Sequence, residues 1–541
     1  MIKLHLSHHA GYTWQALPLG DRTLHYKGNE WEVGALLRRY CAAARTDDET
    51  LPRLLAESPY AFAVVVAGDG SLRAFVDQVR SHPLFFRYAE GKLQLFDDPY
   101  APGLQLDLRP DSPRAVAEFQ LSGYASGDDT LSSGIKALQA GECLWARTIA
   151  GQTQCSVARY RPPIHEAALP ERADLSGALM QTCDAIFADL CAGVRGRQVV
   201  LPLSSGVDSR FIGAMLKRHG HRQMLTFTYG RPGNWEVEGS RQAAQRLGFD
   251  WRFVPYSRLQ WRRWFASGEM AAYQRFCSRH VATPHIQDWP AVWELQRQGV
   301  VDDGAVFVPG HTCVLISNRL ERSALPLPEQ QRLDALAASL YKHHFTLQRD
   351  GRITDDTASI LRRIRALLPP EGGRDPHRLL NAYFHFEASE RHAKMLINSV
   401  RAYEFWGHHW ALPLWDGRLI KLWAQVPFEG RYGKHAFREF LYWTNLYDLF
   451  PRPAPPGLYA RLREAVKSNP LTYRPLKRLQ GAEERFLGYF HHFLDWYGIV
   501  SYPRFVYHMG RCGNVYSLLS RLYLQAVAAS WWTTPDKRFR R

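Results

Sequence analysis

No two cysteines in this sequence form a CxxC pair or take the spacing of a zinc site, although eight are present, at 41, 143, 155, 183, 191, 277, 313 and 512. That absence excludes a zinc finger or ribbon and leaves reduced, mostly buried thiols as the reading. Long apolar runs are missing too: no window approaches the roughly 18 residues a membrane span needs. Met1-Ile2-Lys3-Leu4-His5 lacks the apolar stretch of a signal peptide, so a cytoplasmic protein with no membrane span is expected. No segment repeats at a fixed period, and no low-complexity tract interrupts the chain. Acidic residues are in deficit, with 52 against 68 lysines and arginines, for a formal charge of +16. Such a balance suits a nucleic acid, an anionic membrane surface or an anionic substrate. No RNA-binding or helix-turn-helix signature accompanies it, and basic stretches such as Leu361-Arg362-Arg363-Ile364-Arg365 alternate with apolar residues as the solvated face of a helix does. A nucleic-acid partner is therefore not expected.

What is present is a long, folded chain. Its 541 residues exceed what one core can hold, and 46% hydrophobic residues suffice to fill two or three. Up to about residue 160 the pattern is short apolar runs between turn residues. Ala61–Val66 ends at Gly68-Asp69-Gly70 and Leu72–Val76 follows, as in a hairpin; Leu93–Phe96 and Cys143–Ala146 read as further strands. After Arg161-Pro162-Pro163 the texture changes. Asp174–Gly193 reads as a helix, and Gln198–Leu203 as a strand buried on both faces. A helix at Phe211–His219, a strand at Met224–Tyr229, a helix at Glu236–Leu247 and a strand at Trp251–Val254 come next. Strands alternating with helices predict an α/β fold with a parallel sheet, extended by a mostly helical region from about residue 330. The boundary is expected at 165/166, giving units 1–165 and 166–541. The terminal Trp531-Trp532 and Lys537-Arg538-Phe539-Arg540-Arg541 read as a frayed basic end.

The strand ending at Leu203 runs into Ser204-Ser205-Gly206-Val207-Asp208-Ser209-Arg210 before a helix. Such a turn aims backbone N–H groups and a helix N-terminus at one point, a place for an anion. Hydroxyls of Ser204, Ser205 and Ser209 add donors, and Asp208 is a candidate Mg²⁺ ligand. Alone, the segment is also compatible with a serine-rich helix cap. In context it resembles the SGGxDS signature of the PP-loop ATP pyrophosphatases, in particular the asparagine-synthetase family. Further segments resemble that family in order: Thr226–Gly230 through Asn234-Trp235-Glu236; Val306–His311; Arg391-His392 and Arg401 through Leu412–Asp416; and Lys434-His435-Ala436-Phe437-Arg438. Ala61–Val66, Asp77–Phe86 and Thr130–Gly141 resemble the family's glutamine amidotransferase domain, an α+β Ntn-type sandwich.

The resemblance implies a PP-loop (adenine nucleotide α-hydrolase-like) domain that cleaves ATP between its α- and β-phosphates, attaches AMP to a carboxylate and lets an amine displace it. ATP and Mg²⁺ are then the implied cofactors. Leu203, Ser204, Ser205, Gly206, Asp208, Ser209, Thr228, Pro309, Gly310 and His311 would bind ATP or pyrophosphate, with Asp208 on the metal and Lys434 and Arg438 in catalysis. Lys434 and Arg438, four apart, are expected to share one helix face. Tyr229-Gly230, Gly233-Asn234, Glu236 and Pro309-Gly310-His311 fit a branch associated with surface-polysaccharide (lipopolysaccharide, O-antigen) biosynthesis, which implies a uronic acid sugar as the carboxylate. Ligases joining another amine, of the β-lactam or macrocycle type, and a non-catalytic binding protein are the alternatives. Three departures stand out. Ile2 lies where the glutaminase has its cysteine, so ammonia would come from solution or a separate glutaminase. Ser205 replaces a glycine, and Val314 stands where the family has a second metal-holding acid; Asp302 and Asp303 lie at the wrong end of their strand, leaving Asp288 and Glu390 as alternative acids.

Overall fold

A computed structural model of the chain describes residues 1–9, 13–43, 49–68, 70–170, 174–315, 320–348, 357–453, 483 and 486–529. Asp69 of the first hairpin, and the terminal Trp531-Trp532 and Lys537–Arg541, lie outside them. The N-terminal strands are β1 (Ile2–His5), β2 (Gln15–Leu19), β3 (Arg22–Lys27), β4 (Ala63–Gly68), β5 (Ser71–Val76), β6 (Phe85–Ala89), β7 (Lys92–Phe96), β8 (Lys136–Ala137), β9 (Glu142–Ile149) and β10 (Gln152–Arg159). They form a four-stranded sheet, β1-β7-β6-β8, and a six-stranded antiparallel sheet, β10-β9-β5-β4-β3-β2. The run Ala63-Val64-Val65-Val66 is continuously apolar because both its faces are covered. Ala63 and Val65 pack with Leu72, Leu93 and Leu95 between the sheets, while Val64 and Val66 meet Leu37 of α1 (Ala35–Ala42) and Leu51 and Leu55 of α2 (Thr50–Glu57). The far face of the smaller sheet, at Phe85 and Phe96, is closed by Tyr124 and by Val281 and Ala282 from later in the chain.

Further on, a helix α3 (Pro113–Ser122) precedes α4 (Leu175–Gly193), whose first turn is capped by the Asp174 carboxylate accepting from Gly177 N–H. Then come β11 (Val199–Pro202), α5 (Val207–Arg218), β12 (Met224–Gly230), α6 (Trp235–Leu247), β13 (Asp250–Pro255), α7 (Arg258–Phe265), α8 (Gly268–Ser278), α9 (Trp289–Arg297), β14 (Val306–Phe307) and, after a helical stretch, β15 (His409–Trp410). These strands make a parallel sheet in the order β13-β12-β11-β14-β15. Two differences from the expected elements have simple causes. The region from about residue 330 was expected to be mostly helical, with no strand singled out, yet His409-Trp410 pairs with Val306-Phe307 as the fifth strand, its period too short to show in the sequence. The helix expected at Phe211 begins at Val207, because Gly206 is already its N-cap.

Val199 and Leu201 face one core with α4 and α5, and Val200, Leu225, Phe227 and Phe307 face another. Alternate burial on both faces is what a central parallel strand requires. Beyond the sheet the chain is helical: α10 (Glu329–His344), α11 (Thr357–Leu367), α12 (Pro376–Phe386), α13 (Arg401–Phe405), α14 (Gly417–Gln425), α15 (Phe428–Arg431), α16 (His435–Thr444), α17 (Gly488–His491), α18 (Tyr502–Met509) and α19 (Val515–Ala528). Among the described residues no helix is long and apolar enough to cross a membrane.

Candidate active site

In the sheet, β12 follows β11 on one side while β14 lies on the other, so the direction of strand progression reverses between β11 and β14. Ligands in open α/β sheets bind in the crevice outside the carboxyl ends of strands at such a switch point. A cleft of about 230 Å³ opens there, lined by Ser204, Gly206, Asp208 and Ser209 after β11 and by Pro309, Gly310 and His311 after β14. His285, Gln287, Asp288, Ser399 and Tyr403 complete the wall.

The loop after β11 is braced from within. Ser209 Oγ accepts from Ser204 N–H at 3.1 Å, and Ser204 Oγ accepts from Gly206 N–H at 3.0 Å. Gly206 caps α5 with no side-chain acceptor, which leaves the first N–H groups of the helix at the cleft. A Cβ on Gly310 would stand 3.2 Å from Ser209 N, so glycine is what lets the second loop approach this helix end. Ser205, the replaced glycine, turns away. Its N–H and Oγ both donate to Glu236 Oε2, at 2.8 and 2.9 Å, and its Cβ sits where a side chain on Gly239 would collide. Asn234 caps α6 by accepting from Glu236 and Val237 N–H, holding Glu236 for that contact. The hydroxyl at position 205 therefore does not narrow the cleft.

Asp208 sits in the first turn of α5 with one carboxylate oxygen, Oδ1, buried and without a hydrogen-bond partner, while Oδ2 lies 3.8 Å from Lys434 Nζ. Burial pushes the Asp208 carboxyl up and the Lys434 ammonium down, and on both residues it outweighs the pair's attraction. A cation on Asp208 and a phosphate on Lys434 would each favour the charged form of the group it meets. Lys434 was expected to lie inside a helix with Arg438; instead it is the N-cap of α16 in left-handed backbone, φ 59°, after Gly433 at φ 62°. That turn swings its amine to Asp208 and leaves Arg438 exposed on the first turns of the helix.

The opposite wall is a set of buried polar groups. Tyr229 donates its hydroxyl to Asp288 Oδ1, and Gln287 Nε2 donates to the same phenol oxygen at 3.0 Å. His285 Nδ1 is 3.6 Å from Asp288 Oδ2. Burial raises the Asp288 carboxyl to about 6 and lowers His285 to about 3 and His311 to about 4, so both imidazoles are neutral at pH 7. His311 Nε2 and Ser399 Oγ are 2.6 Å apart.

Of the residues named from the sequence, eight therefore meet in the cleft: Ser204, Gly206, Asp208, Ser209, Asp288, Pro309, Gly310 and His311. Leu203 and Thr228 are buried behind it, with Thr228 Oγ1 donating to the Leu203 carbonyl. Val314 lies in the core, its N–H on Thr312 Oγ1. Glu390 is remote: it accepts from Lys394 Nζ at 2.6 Å and Gly127 N–H at 3.0 Å. Asp288 is the acid that the fold brings in. Ser399 and Tyr403, in the helical stretch before β15, carried no signal in the sequence, since nothing local marks a residue that only tertiary packing turns to the sheet's carboxyl edge.

Residues 194–262, which hold β11, the loop, α5, β12 and α6, match the family model described as asparagine synthase. No curated protein matches the chain. Among solved structures it is similar to an NH3-dependent NAD synthetase from Campylobacter jejuni in complex with nitrate, at 12% identity over 26% of this chain and 58% of that one, TM-score 0.20. It is also similar to the allosteric regulatory enzyme of purine biosynthesis (11% identity, 59% and 60% covered, TM-score 0.19) and to a B. subtilis glutamine phosphoribosylpyrophosphate amidotransferase with ADP and GMP (11%, 60% and 61%, TM-score 0.16). The chain spans about three fifths of the length of each.

Proposed function

We propose that the chain is an ATP-dependent, amide-forming ligase. The observation that carries this reading is Asp208: in the segment that matches the asparagine synthase model, it offers a free buried carboxylate oxygen at a helix start and lies 3.8 Å from Lys434 Nζ. Mg²⁺ usually binds nucleotide phosphates through one or two carboxylates, and the unpartnered Oδ1 fits that use. When bound, it would neutralise charge on the leaving pyrophosphate. The N–H groups opening α5 and the Ser204 and Ser209 hydroxyls would hold the phosphates. A carboxylate oxygen of the substrate attacks the α-phosphorus, and pyrophosphate leaves. Lys434 steadies the charge that develops there and again when ammonia attacks the acyl carbon and AMP departs. Neutral His311 and the Asp288 carboxylate are the groups placed to take the proton that ammonia gives up.

The reading extends to an Ntn-type unit at 1–165 without glutaminase function, a synthetase unit at 166–541, a uronic acid sugar as the carboxylate, and ammonia from solution or a separate glutaminase. The test of the substrate is incubation with ATP, Mg²⁺, ammonium and a panel of uronic acids and their nucleotide-linked forms, with mass spectrometry of the products. A uronamide from one of them supports the assignment. Amide formed only from non-sugar acids overturns it.

A further inference from the structure

Three elements far apart in sequence meet at one face: α7, residues 486–494 and α18. Tyr489 and Phe505 are buried beneath it with ring centroids 5.2 Å apart. Arg258 donates to the Tyr489 carbonyl at 3.2 Å and lies 5.0 Å over the Phe490 ring, which in turn meets Tyr502 at 5.1 Å. Outward stand Leu259, next to Arg258 and 58% exposed, Leu487 at 46%, Phe490 at 38% and Tyr502 at 37%, whose hydroxyl donates to the Phe486 carbonyl. Single exposed apolar residues are ordinary, but a contiguous set is not.

Its charge is mostly positive, with exposed Glu483, whose carbonyl accepts from Leu487 N–H, as an acid at its border. Residues 258–265, 486–494 and 502–511 hold five arginines, at 258, 262, 263, 504 and 511, and no aspartate or glutamate. The flanking acid Asp495 is buried, 4.0 Å from Arg258. A protein partner's rim would call for a more even balance of signs than five arginines against one exposed acid, and a nucleic acid would have no use for Leu259 and Leu487, which cannot stack on bases. Aliphatic and aromatic tips ringed by arginines match an anionic headgroup layer over acyl chains. The face also adjoins the sheet's carboxyl end, since Arg231, just after β12, donates its N–H to the Phe493 carbonyl at 2.7 Å.

We propose that this face docks the protein on an anionic lipid bilayer. The inference is independent of the ligase chemistry. It is tested by co-sedimenting the full chain with vesicles of phosphatidylglycerol and phosphatidylethanolamine, and with phosphatidylcholine vesicles. Binding to the anionic vesicles alone, weakened by salt, is the expected result. Arg263→Glu/Arg504→Glu, at exposed positions, should weaken it by roughly fivefold or more per arginine, and Leu259→Ser/Leu487→Ser should weaken it at unchanged thermal stability. Equal binding to both vesicle types, no binding to either, or anionic binding that survives the arginine reversals would overturn the proposal. So would self-association through these residues in the absence of lipid affinity, which would make the face an interface between copies.

Discussion

Lys434 illustrates how one backbone angle decides a side chain's work. With φ at 59° it cannot be part of the helix it precedes, and the left-handed turn is what carries its amine to Asp208. Lys434→Met should lower kcat by about a hundredfold or more with a smaller change in the KM for ATP, read by steady-state kinetics, because the charge it meets is larger in the transition state. Asp288 gives a second test. Its carboxyl is raised from 3.8 to about 6 by burial, so the folded state holds the proton more tightly than the unfolded one. The stability this contributes is complete below pH 4 and is lost as pH rises through 6, amounting to about 3 kcal/mol at most. Asp288→Asn should therefore gain stability relative to wild type at pH 8 and gain little at pH 4.5 in urea melts. Equal differences at the two pH values would count against the buried, proton-coupled carboxyl. In the sequence Asp208 was readable because a strand, a turn and a helix frame it locally. Asp288 was only one acid among several, since its selection depends on Tyr229, 59 residues away in the chain.

At the scale of elements, the site is two loops held to one helix end. The close approach of Gly310 to Ser209 predicts that Gly310→Ala will force them apart by a few tenths of an ångström. It should cost about 1–3 kcal/mol of stability and raise the KM for ATP, measured by thermal melts and kinetics. The brace from Asn234 through Glu236 to Ser205 is the other control, and it explains why a serine is accepted where the family pattern has glycine: Gly239 makes room for it. Long periodic elements such as α4, α6 and the buried strand β11 were legible from apolar spacing alone. The two-residue strands β14 and β15 could not be delimited that way, because two residues show no period; they are fixed by their neighbours in the sheet.

At the scale of the whole molecule, the N-terminal sheets and the parallel sheet are joined by buried charge. Glu404 accepts from Arg401 at 2.6 Å and from Trp410 Nε1 at 2.8 Å, with Arg279 at 3.8 Å, while Arg401 donates to the Ser81 carbonyl. These cations hold the Glu404 carboxyl down to about 2, against 4.5 unperturbed. The stability it supplies is therefore present above about pH 4.5 and is lost as pH falls toward 2. Glu404→Gln should cost about 3–5 kcal/mol near neutrality by leaving buried guanidinium charge uncompensated, and should flatten the acid limb of the stability profile. The +16 charge, by contrast, told little about the site, because the cleft's own wall carries two acids and neutral histidines. The proposed function requires that this cleft activate a carboxylate with ATP. The most direct measurement is pyrophosphate release from ATP and Mg²⁺ by wild type and Asp208→Ala, with and without a panel of carboxylic acids and ammonium. Release that depends on a carboxylate and is abolished in Asp208→Ala is the expected result. ATP binding without carboxylate-dependent release, or release that is unchanged in Asp208→Ala, would contradict it.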